Sequence, residues 1–176
     1  RHFATIPTID RCTTCHISVD QKHYASEKQP LKTHPRLDLF VSSGSPHPVE
    51  TFGCTVCHRG RGQGTTFLSS AHTPYDEKQK REWERRFNWE KLNSWQEPML
   101  PLPYTEASCL KCHMESLNKI ETKRLETGRN LIDKLNCNGC HIIPGIKGEY
   151  KTGPSLLKVA TKFTKENLGK KILAPG

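Results

Sequence analysis

The chain is short of the residues that build an apolar core. Hydrophobic residues make up 34% of its 176 residues and aromatic residues 7%, while Gly and Pro contribute twelve each. A chain of this length with so few apolar side chains needs disulfides, metal ions or cofactors to fold stably. Nor does it contain a run of about 18 apolar residues, so the sequence predicts no membrane-spanning helix.

The sequence also lacks an initiator Met and a signal peptide, since it begins at Arg1. We therefore expect a processed or trimmed product whose targeting segment has been removed. Its formal charge is +9, from 27 Lys and Arg against 18 Asp and Glu. Such a basic balance fits nucleic acid, an anionic membrane, or acidic groups carried inside the protein itself.

The arrangement of the cysteines indicates which of these explanations of the charge applies. All eight cysteines lie in Cys-x-x-Cys pairs, and a His directly follows each pair. The motifs are CTTCH (Cys12, Cys15, His16), CTVCH (Cys54, Cys57, His58), CLKCH (Cys109, Cys112, His113) and CNGCH (Cys137, Cys140, His141). Cys-x-x-Cys-His is the attachment motif of c-type haem. The two thiols add to the haem vinyl groups, and the His ligates the iron from the proximal side. The sequence therefore predicts four covalently attached haems c.

Structural zinc, bound by two Cys-x-x-Cys pairs per ion, is the competing interpretation. Zinc ribbons do not require a His directly after the second Cys. Nine of the 176 residues are His, so finding His at all four positions by chance has a probability on the order of 10⁻⁵. We therefore favour haem. The haem propionates then account for part of the excess of Lys and Arg, and we expect no nucleic-acid partner.

Helical patterns accompany the motifs. Residues 76–95 predict a helix whose apolar stripe runs through Trp83, Phe87, Leu92 and Trp95, and residues 121–136 predict another. The proline-rich stretch 97–104 predicts an extended linker. We expect a mainly α protein with extensive loop and no significant β-sheet, whose polypeptide wraps around its haems. Residues 1–120 would form a region with three haem motifs, and residues 121–176 a single-haem cytochrome c-like domain.

The sequence resembles the multihaem c-type cytochrome subunits that accompany quinol-oxidising Rieske/cytochrome b-type complexes in planctomycetes and related bacteria. The matching stretches, between about Asp10 and Phe163, are DRCTTCH, THPRLDLF, SPHPVETFGCTVCH, AHTPYD, EPMLPLPYTEASCLKCH, CNGCHIIPGIKG and TGPSL. Such subunits usually have an N-terminal membrane anchor, and a distal Met beyond the helix here predicted at 164–172. This sequence has neither, and we expect a longer natural chain to supply the Met. The alternatives for the fourth haem are a ligand from elsewhere in the chain, namely Met99, His23 or His2, and a His from a neighbouring subunit of a filament.

The distal ligand of each iron determines whether a haem carries electrons or binds a substrate. His34 and His47 precede Pro, which favours an extended backbone that can present the ring, and His72 lies just before a turn. We predict these three as distal ligands. The resemblance points to the same three and to Met99, whose alternative role is packing on a haem edge. The remaining candidates are His2, His23 and Met114.

We expect an electron carrier rather than an enzyme. It would pass electrons along its haems between a membrane respiratory complex, of the Rieske/cytochrome b type that the resemblance implies, and a periplasmic or extracellular acceptor. Haem is attached on the outer side of the energy-coupling membrane, so we expect a periplasmic or extracellular protein that meets the membrane only through a missing anchor or a partner. The alternatives are a subunit of an extracellular filament built from copies of this chain, and a redox enzyme with one open haem.

Four covalent haems are directly measurable. The intact mass should exceed the 20.0 kDa polypeptide by about four haem masses, and the denatured protein in pyridine should give c-type bands. A mass equal to that of the polypeptide plus zinc ions would contradict the prediction.

Overall fold

The computed structural model describes residues 10–91, 97–114, 122–146, 152–156 and 159. This part of the chain is helix and loop with one very small sheet, so the expectation of a mainly α protein is confirmed. The α-helices are α1 (Val49–Phe52), α2 (Thr55–His58), α3 (Glu77–Phe87), α4 (Leu110–His113), α5 (Lys123–Lys134) and α6 (Cys137–Cys140). Cys12–Thr14, Lys22–Tyr24 and Leu102–Cys109 form 3₁₀-helices.

The small sheet consists of two parallel two-residue strands, β1 (Phe40–Val41) and β2 (His47–Pro48), with Phe40 opposite His47. Helix α1 follows β2 directly and ends at Gly53, whose φ is 64°. The next residue is Cys54, the first cysteine of the second motif. This small unit thus leads the chain directly into a haem motif.

Helix α3 begins where the sequence predicts but ends earlier. The Asp76 side chain accepts a hydrogen bond from the Gln79 backbone N–H at 2.8 Å, which caps the first turn. Asn88 then adopts a left-handed conformation, and its N–H bonds to the Trp83 carbonyl. The prediction of one helix over 76–95 was therefore wrong for residues 88–91, because a left-handed residue ends the helix. Leu92 and Trp95 lie outside the described residues.

The linker predicted at 97–104 is extended only in its first part. Met99 forms an isolated antiparallel bridge with Arg59, and a 3₁₀-helix begins at Leu102. Ser108, in that helix, donates its hydroxyl hydrogen to the Cys57 carbonyl at 2.6 Å. The second half of the prediction was therefore wrong, because this segment bonds to the second haem motif.

Contacts divide the chain into two compact units, Arg1–Ser108 and Cys109–Gly176. The first unit contains the first two haem motifs, and the second contains the last two. The predicted division between residues 120 and 121 lies further along the chain. Helix α5 of the second unit falls within the predicted 121–136, and the helix predicted at 164–172 lies outside the described residues.

The described residues contain very little apolar core. Only Ala71 and Trp89 are buried apolar side chains among them. Several large apolar side chains are exposed instead, including Leu102 at 70% and Ile17 at 63%. None of the described helices is both long and apolar enough to cross a membrane. Packing among side chains is thus too sparse to hold this fold together by itself.

The cap of α3 offers a test of local stability. Asp76→Ala should lower the free energy of unfolding by about 1 kcal/mol, because it leaves the Gln79 N–H without its partner. Chemical denaturation followed by circular dichroism would measure the loss. Glu77→Ala is the matched control, since it removes a carboxylate from the same turn but leaves the cap. Equal losses in the two variants would contradict the capping role.

Candidate haem sites

The described haem motifs share one local geometry. Each contains a single helical turn, and in three of them the His N–H bonds to the carbonyl of the first Cys, at 2.9 Å for His16, 2.9 Å for His58 and 3.0 Å for His141. Residues three and four apart lie on the same face of a helical turn. The two thiols and the imidazole of a motif can therefore reach the same flat group.

The structure brings His34 opposite the proximal His58 of the second motif. Their ring centroids are 6.3 Å apart, and the ring planes are inclined by 78°. The His34 N–H bonds to the Val19 carbonyl at 2.8 Å, and its ring contacts the Phe40 ring edge-on with centroids 5.5 Å apart. A predicted distal ligand thus lies beside a predicted proximal one.

A second pair joins His72 to the proximal His16 of the first motif. These ring centroids are also 6.3 Å apart, with the planes inclined by 35°. Phe67 stacks on His72 with centroids 4.2 Å apart, and Phe87 of α3 stacks on the other side of Phe67 at 4.1 Å. The Trp89 indole N–H donates to the His72 carbonyl at 2.8 Å. The aromatic face of α3 thus holds His72 in place.

The common separation of 6.3 Å has a simple geometric meaning. A metal–imidazole nitrogen bond is about 2.0–2.1 Å long, and in a five-membered ring with bonds of about 1.33 Å each atom lies about 1.1 Å from the centroid. Two imidazoles on opposite sides of one metal ion therefore have centroids about 6.3 Å apart. Both inclinations are permitted, since each ring can rotate about its metal–nitrogen bond. The centroid separations of both pairs are thus compatible with two imidazoles that would bind one iron from opposite sides.

Backbone carbonyls orient four of the histidines. The Nδ1 atoms of His16, His47, His72 and His141 lie 3.2, 3.0, 2.8 and 2.8 Å from the carbonyl oxygens of Pro30, Leu39, Phe67 and Pro154. A carbonyl oxygen only accepts, so the proton of a neutral ring is on Nδ1, and Nε2 is the unprotonated nitrogen that can bind a metal. This is the usual outer contact of metal-bound His. His34 differs, because its Nδ1 accepts the Arg36 N–H at 3.4 Å, which places the proton of the neutral ring on Nε2. Metal binding through Nε2 of His34 would therefore require this proton to leave Nε2.

Burial favours the neutral form of three of the paired imidazoles, His34, His58 and His72. Burial and the neighbouring His58 together lower the pKa of His34 to about 4. Burial also lowers the pKa of His58, with a further lowering by His16 that Asp10 partly opposes. For His72, burial lowers the pKa although the Phe67 carbonyl raises it. A neutral ring is the form that binds metal.

Met99 supports the two pairs through its backbone. Its N–H donates to the Ala71 carbonyl at 2.8 Å, and the next N–H, of Leu100, donates to the His58 carbonyl at 2.8 Å. The Met99 side chain lies near Gly60, where a Cβ atom would be 3.3 Å from its Cβ and Cε. This segment thus connects the second motif to Ala71, the residue before His72. The position beside the His58 ring that a Met99 ligand would need is next to His34. Ligation by Met99 stays a prediction.

His47, predicted as the third distal ligand, lies at the start of β2 between two aromatic rings. Its ring centroid is 5.2 Å from that of Phe40 and 5.3 Å from that of Phe52. With its Nδ1 on the Leu39 carbonyl, it has the same kind of outer contact as His16 and His141, two of the predicted proximal ligands. Its role as a distal ligand stays a prediction.

The fourth motif is held by the Gly153–Pro154 segment. The Gly153 N–H donates to the Cys140 carbonyl at 2.7 Å, and a Cβ at residue 153 would be 2.6 Å from that oxygen. Only a glycine allows this close approach, which brings the Pro154 carbonyl to His141. Residues 160–176, where the natural chain was expected to lead towards a distal Met, lie outside the described residues, as does His2.

The eight cysteines of the four motifs, all among the described residues, form no disulfide. Those of the first two motifs come close together, because ligand atoms of Asp10, Cys12 and Cys54 all lie within 4.8 Å of one another. A hydrogen bond between Cys12 and Cys54, burial and Asp10 raise the pKa of the Cys12 thiol. The same bond lowers that of Cys54. Sequence reasoning missed Asp10, whose only signal is its position two residues before a motif.

Apolar side chains next to three motifs are exposed. Ile17 follows His16 and is 63% exposed, Val56 lies inside CTVCH at 41%, and Ile142 follows His141 at 52%. Exposing such groups costs free energy unless something apolar covers them. Comparisons with protein-family models, curated proteins and solved structures found no match for this chain.

The two imidazole pairs predict which substitutions act on the same iron. We expect His34→Ala and His58→Ala to abolish one low-spin electron paramagnetic resonance signal, and His72→Ala and His16→Ala to abolish a second. His23→Ala is the control and should retain every signal, because His23 is exposed in the 3₁₀-helix Lys22–Tyr24. Loss of the same signal in His34→Ala and His16→Ala would disprove the pairing.

Proposed function

We propose that this chain is a tetrahaem c-type cytochrome, an electron carrier that works outside the energy-coupling membrane. The observation that carries the proposal is the pair of imidazoles at 6.3 Å, found twice, each joining a motif His to a His from elsewhere in the chain. When bound, each haem supplies a one-electron iron couple. The resemblance to subunits of quinol-oxidising complexes makes such a complex the proposed electron donor.

Saturated ligation favours electron transfer over catalysis. An iron with protein ligands on both sides has no position for a substrate, whereas a catalytic haem keeps one side open. His34 and His72 would close the second and first haems in this way. Their neutral rings and tight aromatic packing would keep the ligands in place through a redox cycle, which limits the reorganisation that slows electron transfer.

The lean composition supports the same proposal. Buried apolar side chains are nearly absent from the described residues, and apolar side chains beside three motifs are exposed. Each porphyrin is a flat apolar body that would cover such surface. The eight cysteines, presented by short helical turns, would then attach the polypeptide covalently to the haems, which would form its apolar core.

The proximity of the first two motifs supports transfer between their haems. The sulfur atoms of Cys12 and Cys54 lie within 4.8 Å, and His16 is close enough to lower the pKa of His58. Electron tunnelling slows exponentially with the gap between redox centres. Two haems attached at neighbouring sulfur atoms would exchange electrons rapidly.

The proposal predicts how many electrons the protein accepts and that its first two haems do not bind carbon monoxide. Reductive titration should consume four electrons per chain, and carbon monoxide should leave the spectra of the first two haems unchanged, because His34 and His72 occupy the position that it needs. His34→Ala is the positive control and should gain carbon monoxide binding at one haem. Binding by the unaltered protein at either of these haems, together with turnover of a small oxidant, would favour the enzyme alternative.

A further inference from the structure

Asp10 connects two haem motifs that are far apart in the sequence. One oxygen of its carboxylate, Oδ2, accepts the N–H groups of Cys54 at 2.6 Å and Thr55 at 2.9 Å. The other, Oδ1, accepts the N–H of Cys12 at 3.2 Å. These are N–H groups in the first turns of CTTCH and CTVCH. A single side chain therefore holds the beginnings of both motifs.

The approach of Asp10 depends on Gly53. This residue has φ of 64°, and a Cβ there would lie 2.9 Å from Asp10 Oδ2. A side chain would be strained in this conformation and would collide with the carboxylate. The neighbouring Arg11 N–H adds a bond to the Gly62 carbonyl at 2.6 Å, which fixes the same stretch against the residues after the second motif.

The contacts of Asp10 are compatible with haem attachment. Its three backbone donors remain when the sulfur atoms of Cys12 and Cys54 become thioethers, because that reaction consumes only the thiols. Burial by itself would raise the pKa of Asp10, but two kinds of hydrogen bond lower it below its usual value: the bond to the Cys12 thiol, which attachment would remove, and the bonds from the Thr55, Cys12 and Cys54 backbone N–H groups, which would remain. The carboxylate is therefore negatively charged near neutral pH.

We propose that Asp10 is a positioning residue that holds the attachment sites of the first two haems side by side and lowers the reduction potentials of both. A negative charge near a haem stabilises its more positive, oxidised state. Because the carboxylate lies within 4.8 Å of both sulfur atoms, its charge acts on the two haems together. This inference rests on the proposed function, since it requires haems at Cys12 and Cys54.

The test is Asp10→Asn in the full haem-loaded protein, with Asp20→Asn as the matched control. Asp20 is exposed, and its carboxylate accepts a hydrogen bond from the side chain of its sequence neighbour Gln21. Potentials are measured by redox titration of the low-spin signals assigned through the His16 and His58 variants. At a fixed ambient potential, Asp10→Asn should lower the oxidised-to-reduced ratio of these two haems at least threefold. The other two haems, and all four in the control, should not change.

Unchanged potentials in Asp10→Asn, with four haems still present by mass, would overturn the role of Asp10 and leave the proposed function intact. Zinc instead of haem in the unaltered protein would overturn both. If Asp10→Asn does not mature, Gly53→Ala provides the test, because it displaces the carboxylate but keeps its charge. It should shift the same two potentials, whereas Gly44→Ala, whose Cβ would meet nothing within 4 Å, should not. Equal potentials in the two glycine variants would disprove the proposal.

Discussion

The scarcity of buried apolar side chains is the constraint on which the rest of this structure depends. With only Ala71 and Trp89 buried among the apolar side chains of the described residues, the chain has little hydrophobic stabilisation of its own. It relies on backbone hydrogen bonds between loops, on short helical turns and on small aromatic clusters. These contacts concentrate around the histidines and cysteines of the motifs. The proposed haems would be the main apolar component of the fold, so binding and folding would be one process.

The contacts around the imidazoles explain how loops can hold ligands accurately. Four histidines have Nδ1 on a backbone carbonyl, which fixes both the tautomer and the direction of Nε2. Such a bond also makes the imidazole a stronger electron donor to a metal. The carbonyls belong to residues of different loops, among them Pro30 and Phe67. Loop conformation is therefore part of the ligand geometry, and the high loop content has a structural reason.

Much of this arrangement could be predicted from the sequence, but only where the signal is local. The motifs, the start of α3 at Asp76 and the position of α5 follow from spacing, capping and periodicity. The end of α3 could not be predicted in this way, because the apolar stripe continues beyond Phe87 in the sequence, whereas Asn88 adopts a left-handed conformation that ends the helix. The pairing of His34 with His58 and of His72 with His16 could not be predicted either. It depends on contacts between distant segments, such as the bonds from Met99 and Leu100 to Ala71 and His58. Asp10 was missed for the same reason.

The two imidazole pairs also have an order along the chain. His34 and His58 both lie between His16 and His72 in the sequence. The loop closed by His16 and His72 therefore contains the whole loop closed by His34 and His58. The entropic cost of closing a loop grows with its length. Once His34 and His58 are joined, a shorter effective length of chain separates His16 from His72, so the entropic cost of bringing these two residues together is smaller. If the proposed haems are bound, this nesting would favour an order of assembly in which the second haem gains its distal ligand before the first.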